Sequence, residues 1–290
     1  MPDTQPRIFV TGASGQLGRL VVQHLLNAVP PGQVAAGVRS LETGRDLQAL
    51  GVAVRVADYT RPDTLDAAFA GIERLLLISS NAIGQRTMQH RAVLEAAARA
   101  SVKLLAYTSL LHADASPLGL AEEHRDTEAL IRASGVPFVI LRNGWYTENY
   151  TASIPAALQH GAVLGSAKDG RIASAARADY AAAAAAVLAG DKDWSGQTFE
   201  LAGDAAYTLS EFAAAIAGQS GRAVAYKDLP EAEYKAALLG AGLPAELAGL
   251  LADSDAGAAQ GALFDDGGQL GRLIGRPTTP MPATVAAALA

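Results

Sequence analysis

Arg7-Ile-Phe-Val-Thr-Gly-Ala-Ser-Gly-Gln-Leu-Gly18 is a short apolar run that breaks into three glycines spaced G-x-x-G-x-x-G. Leu17, Leu20, Val21 and Leu25 follow at helical spacing, so the stretch reads as a buried strand, a tight turn and the start of a helix. Gly12 permits the turn, Gly15 lets backbone approach a pyrophosphate, and Gly18 lets the helix pack closely on the strand. The helix N-terminus adds free N–H donors and the positive end of its dipole. A dinucleotide phosphate is therefore expected over Thr11, Gly12, Ala13, Ser14, Gly15, Gln16, Leu17 and Gly18.

The next strand reads Val34-Ala-Ala-Gly-Val-Arg39. An acidic residue at its end would bond the ribose hydroxyls of NAD, whereas a guanidinium clamps a 2′-phosphate through paired hydrogen bonds. Arg39 therefore favours NADPH, the alternative being an ordinary solvated arginine.

The rest of the composition narrows the class. Of 290 residues, 50% are apolar and 18% charged, enough for one large core or two unequal ones. A formal charge of −6 and a pI near 5.4 argue against nucleic-acid or anionic-membrane partners, which need clustered Lys and Arg. With no cysteine, disulfides, thiolate metal sites and thiol nucleophiles are excluded. His24, His90, His112, His124 and His160 show no H-x-x-x-H or H-E-x-x-H spacing, so no metal is expected. The N-terminus lacks a basic-then-apolar signal pattern, and Ala181 to Leu188 is too short to span a bilayer. A soluble cytoplasmic protein is the expectation, with a homodimer left open.

Apolar strands expected at Ile8–Thr11, Val34–Val38, Val52–Ala57, Leu75–Ser79, Leu104–Ser109, Phe138–Leu141 and Phe199–Leu201 alternate with helical patterns at Leu17–Leu26, Thr64–Ala70, Arg86–Ala100 and Glu123–Ala133. Near-continuous apolar strands between helices fit a parallel sheet covered on both faces. The fold class is α/β, a Rossmann-type doubly wound parallel sheet with a smaller, mostly helical C-terminal domain. Residues 1–150, with 172–203 returning, are expected to form the NADP-binding domain, and 151–171 with 204–290 the substrate or lid domain. Asp179 is expected to cap the alanine helix after it, and the chain from Leu209 on to be helical, interrupted by Pro230, Pro244 and Asp253–Gly268.

Six segments, the glycine loop among them, carry a resemblance that runs almost end to end: Thr11 to Gly18, Leu75-Leu-Leu-Ile-Ser-Ser80, Ala106-Tyr-Thr-Ser-Leu-Leu-His-Ala113, Leu141-Arg-Asn-Gly-Trp-Tyr-Thr-Glu-Asn-Tyr150, Gly170-Arg-Ile-Ala-Ser-Ala-Ala-Arg-Ala-Asp-Tyr180 and Asp253-Ser-Asp-Ala-Gly257. The chain resembles the NAD(P)H:quinone oxidoreductase type 2 group of the atypical short-chain dehydrogenases, related to the NmrA-like regulators. Ordinary short-chain dehydrogenases place a catalytic Tyr and Lys four apart on a helix; alignment puts Leu120 and His124 there. A ketone reduced by hydride becomes a basic alkoxide that needs a proton donor, while a quinone becomes a weakly basic phenolate. The missing tyrosine suits quinone chemistry, and equally suits a protein that only senses NADP(H).

That resemblance assigns the remaining candidates. Ser79, Ser80, Asn81, Ala82 and Ile83 would run beside the cofactor ribose, although polar residues also end strands to turn the chain. Asp58 would accept from adenine, or form a turn. Gln85 opens a helix whose N-terminus could meet an anion, and Thr108 lies where the superfamily keeps a serine, or is a buried hydroxyl bonded to backbone. Asn143, Trp145 and Tyr146 would form the quinone wall, with an amide for an oxygen and rings for stacking; the aromatics could instead be anchors. His124 would touch the nicotinamide end, or be a structural histidine. Ser174 and Arg177 would contact substrate or an anion, or form a loop network. The catalytic candidates are Asn143, Tyr146 and His124. The expected activity is NADPH-dependent two-electron reduction of a small-molecule quinone by direct hydride transfer without flavin; the alternatives are a non-enzymatic NADP(H) sensor of NmrA type and a reductase of other aromatic metabolites.

Overall fold

In a computed structural model that describes residues 5–290, the strands are β1 (Ile8–Val10), β2 (Val34–Val38), β3 (Ala53–Val56), β4 (Arg74–Leu77), β5 (Leu104–Leu110), β6 (Phe138–Asn143), β7 (Ala162–Gly165), β8 (Gln197–Leu201) and β9 (Ala225–Asp228). Seven of them form one sheet in the order β3-β2-β1-β4-β5-β6-β8. β1 pairs in parallel with both β2 and β4, β2 with β3, and β4 with β5. The chain thus begins mid-sheet, winds outward through β2 and β3, and returns to β4 on the other flank of β1. Ligands of such sheets bind beyond the carboxyl ends of the strands where the winding reverses. Here that point lies between β1 and β4.

The helices are α1 (Gln16–Leu26), α2 (Arg45–Ala49), α3 (Pro62–Phe69), α4 (Arg86–Arg99), α5 (Ala121–Ala133), α6 (Thr147–Thr151), α7 (Ile154–His160), α8 (Arg177–Ala189), α9 (Leu209–Ser220), α10 (Glu231–Gly240), α11 (Ala245–Ala258), α12 (Gln269–Ile274) and α13 (Met281–Leu289). The chain divides into two compact units. One holds the chain through Leu110 with Glu123–Arg142 and Tyr180–Phe199; the other holds Leu111–Glu122, Asn143–Asp179 and Glu200–Ala290. Residues 1–4 of the expected first domain lie outside the described residues. Among the described residues no helix is long and apolar enough to cross a membrane.

In the first unit the strands are apolar on both sides because helices cover both faces, so β1, β2 and β5 read as continuous buried runs without alternation. One core is built from Phe9, Leu65, Phe69, Leu75, Leu77, Val93, Leu105 and Tyr107, with Phe9 meeting Phe69 edge-on at 5.1 Å. α1 buries Leu17, Val21 and Leu25 of the expected stripe and Val22 beside them, while Leu20 is only half-buried. Each buried side chain contributes about 1.5–3 kcal/mol of burial.

Several boundaries differ from the sequence reading. β4 ends at Leu77, so Ser79 and Ser80 belong to the following loop, and β6 runs on to Asn143, which is therefore a strand residue. The second unit is not helical throughout from Leu209: β9 pairs in parallel with β7, Ala162 opposite Ala225 through Gly165 opposite Asp228. Four residues with mostly exposed side chains give β9 no apolar alternation to detect. Asp253–Gly268 does not break the helical run where expected, because α11 continues through Ala258. Pro230 and Pro244 instead sit at the N-caps of α10 and α11, a position that needs no intrahelical N–H.

Asp179 does not cap α8. The helix begins two residues earlier at Arg177, and the fully buried Asp179 carboxylate accepts from Arg276 Nη2 (2.6 Å) and from Thr279 N (2.7 Å). Asp204 holds the same segment, accepting from Thr278 N at 2.7 Å. α9 starts with a capping box, Thr208 and Glu211 bonding each other's backbone N–H.

Asp255 on α11 is the second buried carboxylate of this unit, accepting from the Tyr150 hydroxyl and from Ser166 N, each at 3.0 Å. Burial outweighs these two bonds and pushes its pKa up to about 6. Between pH of about 4 and 6 the folded protein therefore holds a proton that the unfolded chain releases, so this group's contribution to stability falls as pH rises through that window. Comparing urea unfolding of the protein with that of Asp255→Asn, the difference in stability should shift by up to about 3 kcal/mol against the parent between pH of about 4 and 7. Parallel pH profiles would show that Asp255 does not titrate there.

Candidate functional site

The first unit places the glycine turn at the winding reversal. Gly12 sits at φ +57°, and its N-terminal neighbour Thr11 is fully buried. Thr11 Oγ1 donates to Leu76 O at 2.9 Å and accepts from Ile78 N at 3.0 Å, tying the ends of β1 and β4 together; the Tyr59 hydroxyl closes the same junction, 2.9 Å from Ile78 O. Ala13 N donates to Gly37 O at 2.9 Å, fixing the turn to β2. A Cβ on Gly18 would stand 2.4 Å from Gly12 O and 2.7 Å from Ala13 Cα. Only hydrogen fits, so α1 is held hard against the turn.

α1 starts at Gln16 behind the N-cap Gly15, with no side-chain cap and no acidic residue in its first turn. Its leading N–H groups and dipole are thus left to an anion, and the residues present fit a dinucleotide pyrophosphate. Ser14 is half-buried, its carbonyl accepting from Arg19 Nε at 3.0 Å, while Arg19 pairs with Asp46. Arg39 is exposed immediately after β2 and makes no ion pair among the described residues.

Asp58 turns its Oδ1 to Thr60 N (2.9 Å) and Thr60 Oγ1 (2.8 Å), the side-chain turn that its type favours. After β4, Ser79 N donates to the buried Thr108 Oγ1 at 2.9 Å. Asn81 and Ile83 are exposed, Ala82 half-buried with its N–H on Ser80 Oγ, and Gln85 is the N-cap of α4. His124 is buried on α5, with Nδ1 2.8 Å from the Tyr107 hydroxyl. Burial, reinforced by the Arg86 cation, pushes its pKa well below the ordinary range, so the imidazole is neutral.

In the second unit Asn143, Tyr146 and Arg177 come together. The Asn143 amide bonds the Tyr146 hydroxyl, and its buried Oδ1 has no partner. The Arg177 guanidinium lies over the Tyr146 ring at 4.7 Å, while Arg177 N donates to both Glu148 carboxylate oxygens. Burial raises the Tyr146 pKa, opposed by the Asn143 bond and the Arg177 charge. An amide, a phenol and a cation so placed can stabilise negative charge developing on an oxygen. Trp145 is buried, and Ser174 is enlisted by Thr147 (2.8 Å) and Tyr207 (2.6 Å). Among the described residues no group of acidic, histidine or cysteine side chains could hold a metal ion.

The sequence reading gives no individual role to Arg86, Gln89 and His90, all buried on α4. Their i, i+3, i+4 spacing puts three polar residues on the helix stripe that should be apolar, which is the signal that would have found them.

The sheet order and the glycine turn define a dinucleotide-binding protein of Rossmann type. Residues 12–191 match the family described as NAD(P)H-binding. The chain is 54% identical over 278 residues to quinone oxidoreductase 2 of Escherichia coli (strain K12), covering 96% of this chain and 97% of that protein. The E. coli NADPH-dependent quinone oxidoreductase complexed with NADPH matches with a TM-score of 0.95 at 53% identity, over 98% of this chain and 100% of the other. The Citrobacter triphenylmethane reductase complexed with NADP(H) matches with a TM-score of 0.93 at 36% identity, over 97% and 99% of the two chains. The chain belongs to the NAD(P)H-binding quinone oxidoreductase type 2 family.

Gly18→Ala should lower the thermal unfolding midpoint by about 5 °C or more, from an overpacking cost of about 2–3 kcal/mol against rigid backbone, and weaken reduced dinucleotide at least about tenfold. Calorimetry and a fluorescence titration measure the two; an unchanged midpoint would mean that the close approach is absent in solution.

Proposed function

We propose that the protein is an NADPH-dependent quinone reductase that passes hydride directly to the quinone ring, without flavin, the glycine-turn unit serving as the cofactor domain and the other as the substrate domain. The observation that carries the reading is the Asn143–Tyr146–Arg177 group, a ready-made environment for a developing phenolate; the end-to-end likeness to the E. coli enzyme supports it. NADPH, when bound, supplies the hydride.

The chain's own residues bind and orient. Thr11 to Gly18 hold the pyrophosphate on α1, Arg39 clamps the 2′-phosphate, Asp58 meets the adenine end, and Ser79 to Ile83, Gln85 and Thr108 border the riboses. His124 contributes a neutral imidazole at the nicotinamide end, and Asn143 also contacts the cofactor. On the acceptor side the Tyr146 ring stacks on the quinone, Trp145 backs that wall, and Asn143 and the Tyr146 hydroxyl address the oxygen on which charge develops. Ser174 keeps Thr147, the residue after Tyr146, in place, and Arg177 favours anionic character there. No strong general acid is required, because the product phenolate is a weak base; the protein works through proximity and preorganised dipoles. The likeness to a triphenylmethane reductase favours a second reading, other flat aromatic acceptors reduced at the same wall.

Following NADPH absorbance with a simple benzoquinone tests both sides. Arg39→Ala should raise KM for NADPH about 10- to 100-fold, the worth of a charge-assisted clamp, with KM for NADH unchanged; equal weakening of both would defeat the 2′-phosphate assignment. Asn143→Ala should lower kcat about 10- to 100-fold without abolishing it. Tight cofactor binding with no saturable turnover across several quinones would move the reading to an NADP(H) sensor.

A further inference from the structure

α4 addresses a single residue of the loop after β4 through three of its side chains. Arg86 Nε donates to Ser80 O at 2.7 Å, Ser80 N donates to His90 Nε2 at 2.9 Å, and the Ser80 hydroxyl bonds Gln89 Oε1. Every polar group of Ser80 is therefore engaged by one helix. Next to it, Ser79 N is held by Thr108.

The tautomer of His90 follows from its partners. A backbone N–H can only donate, so Nε2 carries a lone pair and the ring proton is on Nδ1. Nδ1 donates to Thr127 Oγ1 at 2.9 Å, and the Thr127 hydroxyl passes its own hydrogen to Glu123 O at 2.8 Å. Only neutral His90 satisfies this chain; burial and the Arg86 cation push its pKa down to about 3, so the neutral form prevails in ordinary buffers. Arg86 is anchored in turn by Glu123, whose Oε1 accepts from Arg86 N at 3.1 Å and whose Oε2 lies 3.4 Å from Nη1.

We propose that Arg86 and His90 are positioning residues of the cofactor site: they hold the Ser79–Ile83 backbone in the form that receives the cofactor before it arrives. The proposal rests on the reading above that this loop borders NADPH. A loop ordered in advance loses little entropy on binding, so the benefit falls on cofactor affinity and leaves the chemical step alone.

The test uses the full chain, with NADPH as the probe. In His90→Leu, hydrogen exchange of residues 79–84 in the cofactor-free protein should rise, and Kd and KM for NADPH should rise about tenfold, the loss of one buried hydrogen bond and the orphaning of its donor. kcat at saturating NADPH should stay within about twofold. His90→Gln, whose Oε1 reaches the place of Nε2, should restore the affinity to within about threefold. If His90→Leu fails to fold, Thr127→Val strips the Nδ1 proton of its acceptor while keeping the shape, and should move exchange and Kd in the same direction. Unchanged NADPH affinity in a folded variant overturns the proposal, as does a parallel loss of kcat and affinity that His90→Gln does not rescue. The reading beneath it has its own control: in the parent protein NADPH should slow exchange of residues 79–84, and no protection there would show that the loop does not border the cofactor, whatever the variants do.

Discussion

How closely α1 approaches the turn after β1 decides the rest of the first unit. With hydrogen as the only side chain that Gly18 can carry against the Gly12 carbonyl, the first turn of the helix is brought up to the strand ends, and its uncapped N–H groups point where the winding of the sheet reverses. Thr11 then ties β1 to the end of β4. The turn, the start of α1 and the end of β4 are thereby fixed to one another at the winding reversal.

The polar interior around the loop after β4 is the other half of this design. Buried polar groups are stabilising only when their partners are complete, and here the partners form chains: Tyr107 with His124, Ser80 with His90, Thr127 and then the Glu123 carbonyl. The two histidines are consequently neutral for a physical reason, burial next to a cation. The second unit uses carboxylates in the same way. Asp179 is completed by Arg276 and Thr279, while Asp255, left with two neutral donors, pays for its burial with a raised pKa.

Much of the fold was legible because its signals are local. Ile8-Phe9-Val10 before Gly12, and the α1 stripe of Leu17, Val21 and Leu25, are periodicities that need no tertiary context. β9 was not legible, since Ala-Tyr-Lys-Asp pairs with β7 through backbone alone and exposes most of its side chains. Asp179 was misread because an acid near a helix start looks like a cap, and its true partners lie about a hundred residues later in the chain. Arg39 stands at a strand end, where residue type and position alone make it a candidate, while Asn143 is a candidate through the family resemblance. Arg86 and His90 could not be read by residue type alone, since a buried arginine and a buried histidine have meaning only through Glu123, Ser80 and Thr127.

The direction of the hydrogens through Ser80, His90 and Thr127 makes the loop after β4 and the first turns of α5 a single mechanical piece. The chain ends on the carbonyl of Glu123, whose carboxylate grips Arg86 and whose neighbour is His124. Displacing that turn of α5 therefore drags Ser80 by its amide, and disturbing Ser80 is felt at the base of His124. Substitutions at the two ends will not contribute independently: once one link is broken, breaking another costs less, so a double substitution along this chain costs less than the sum of its two singles.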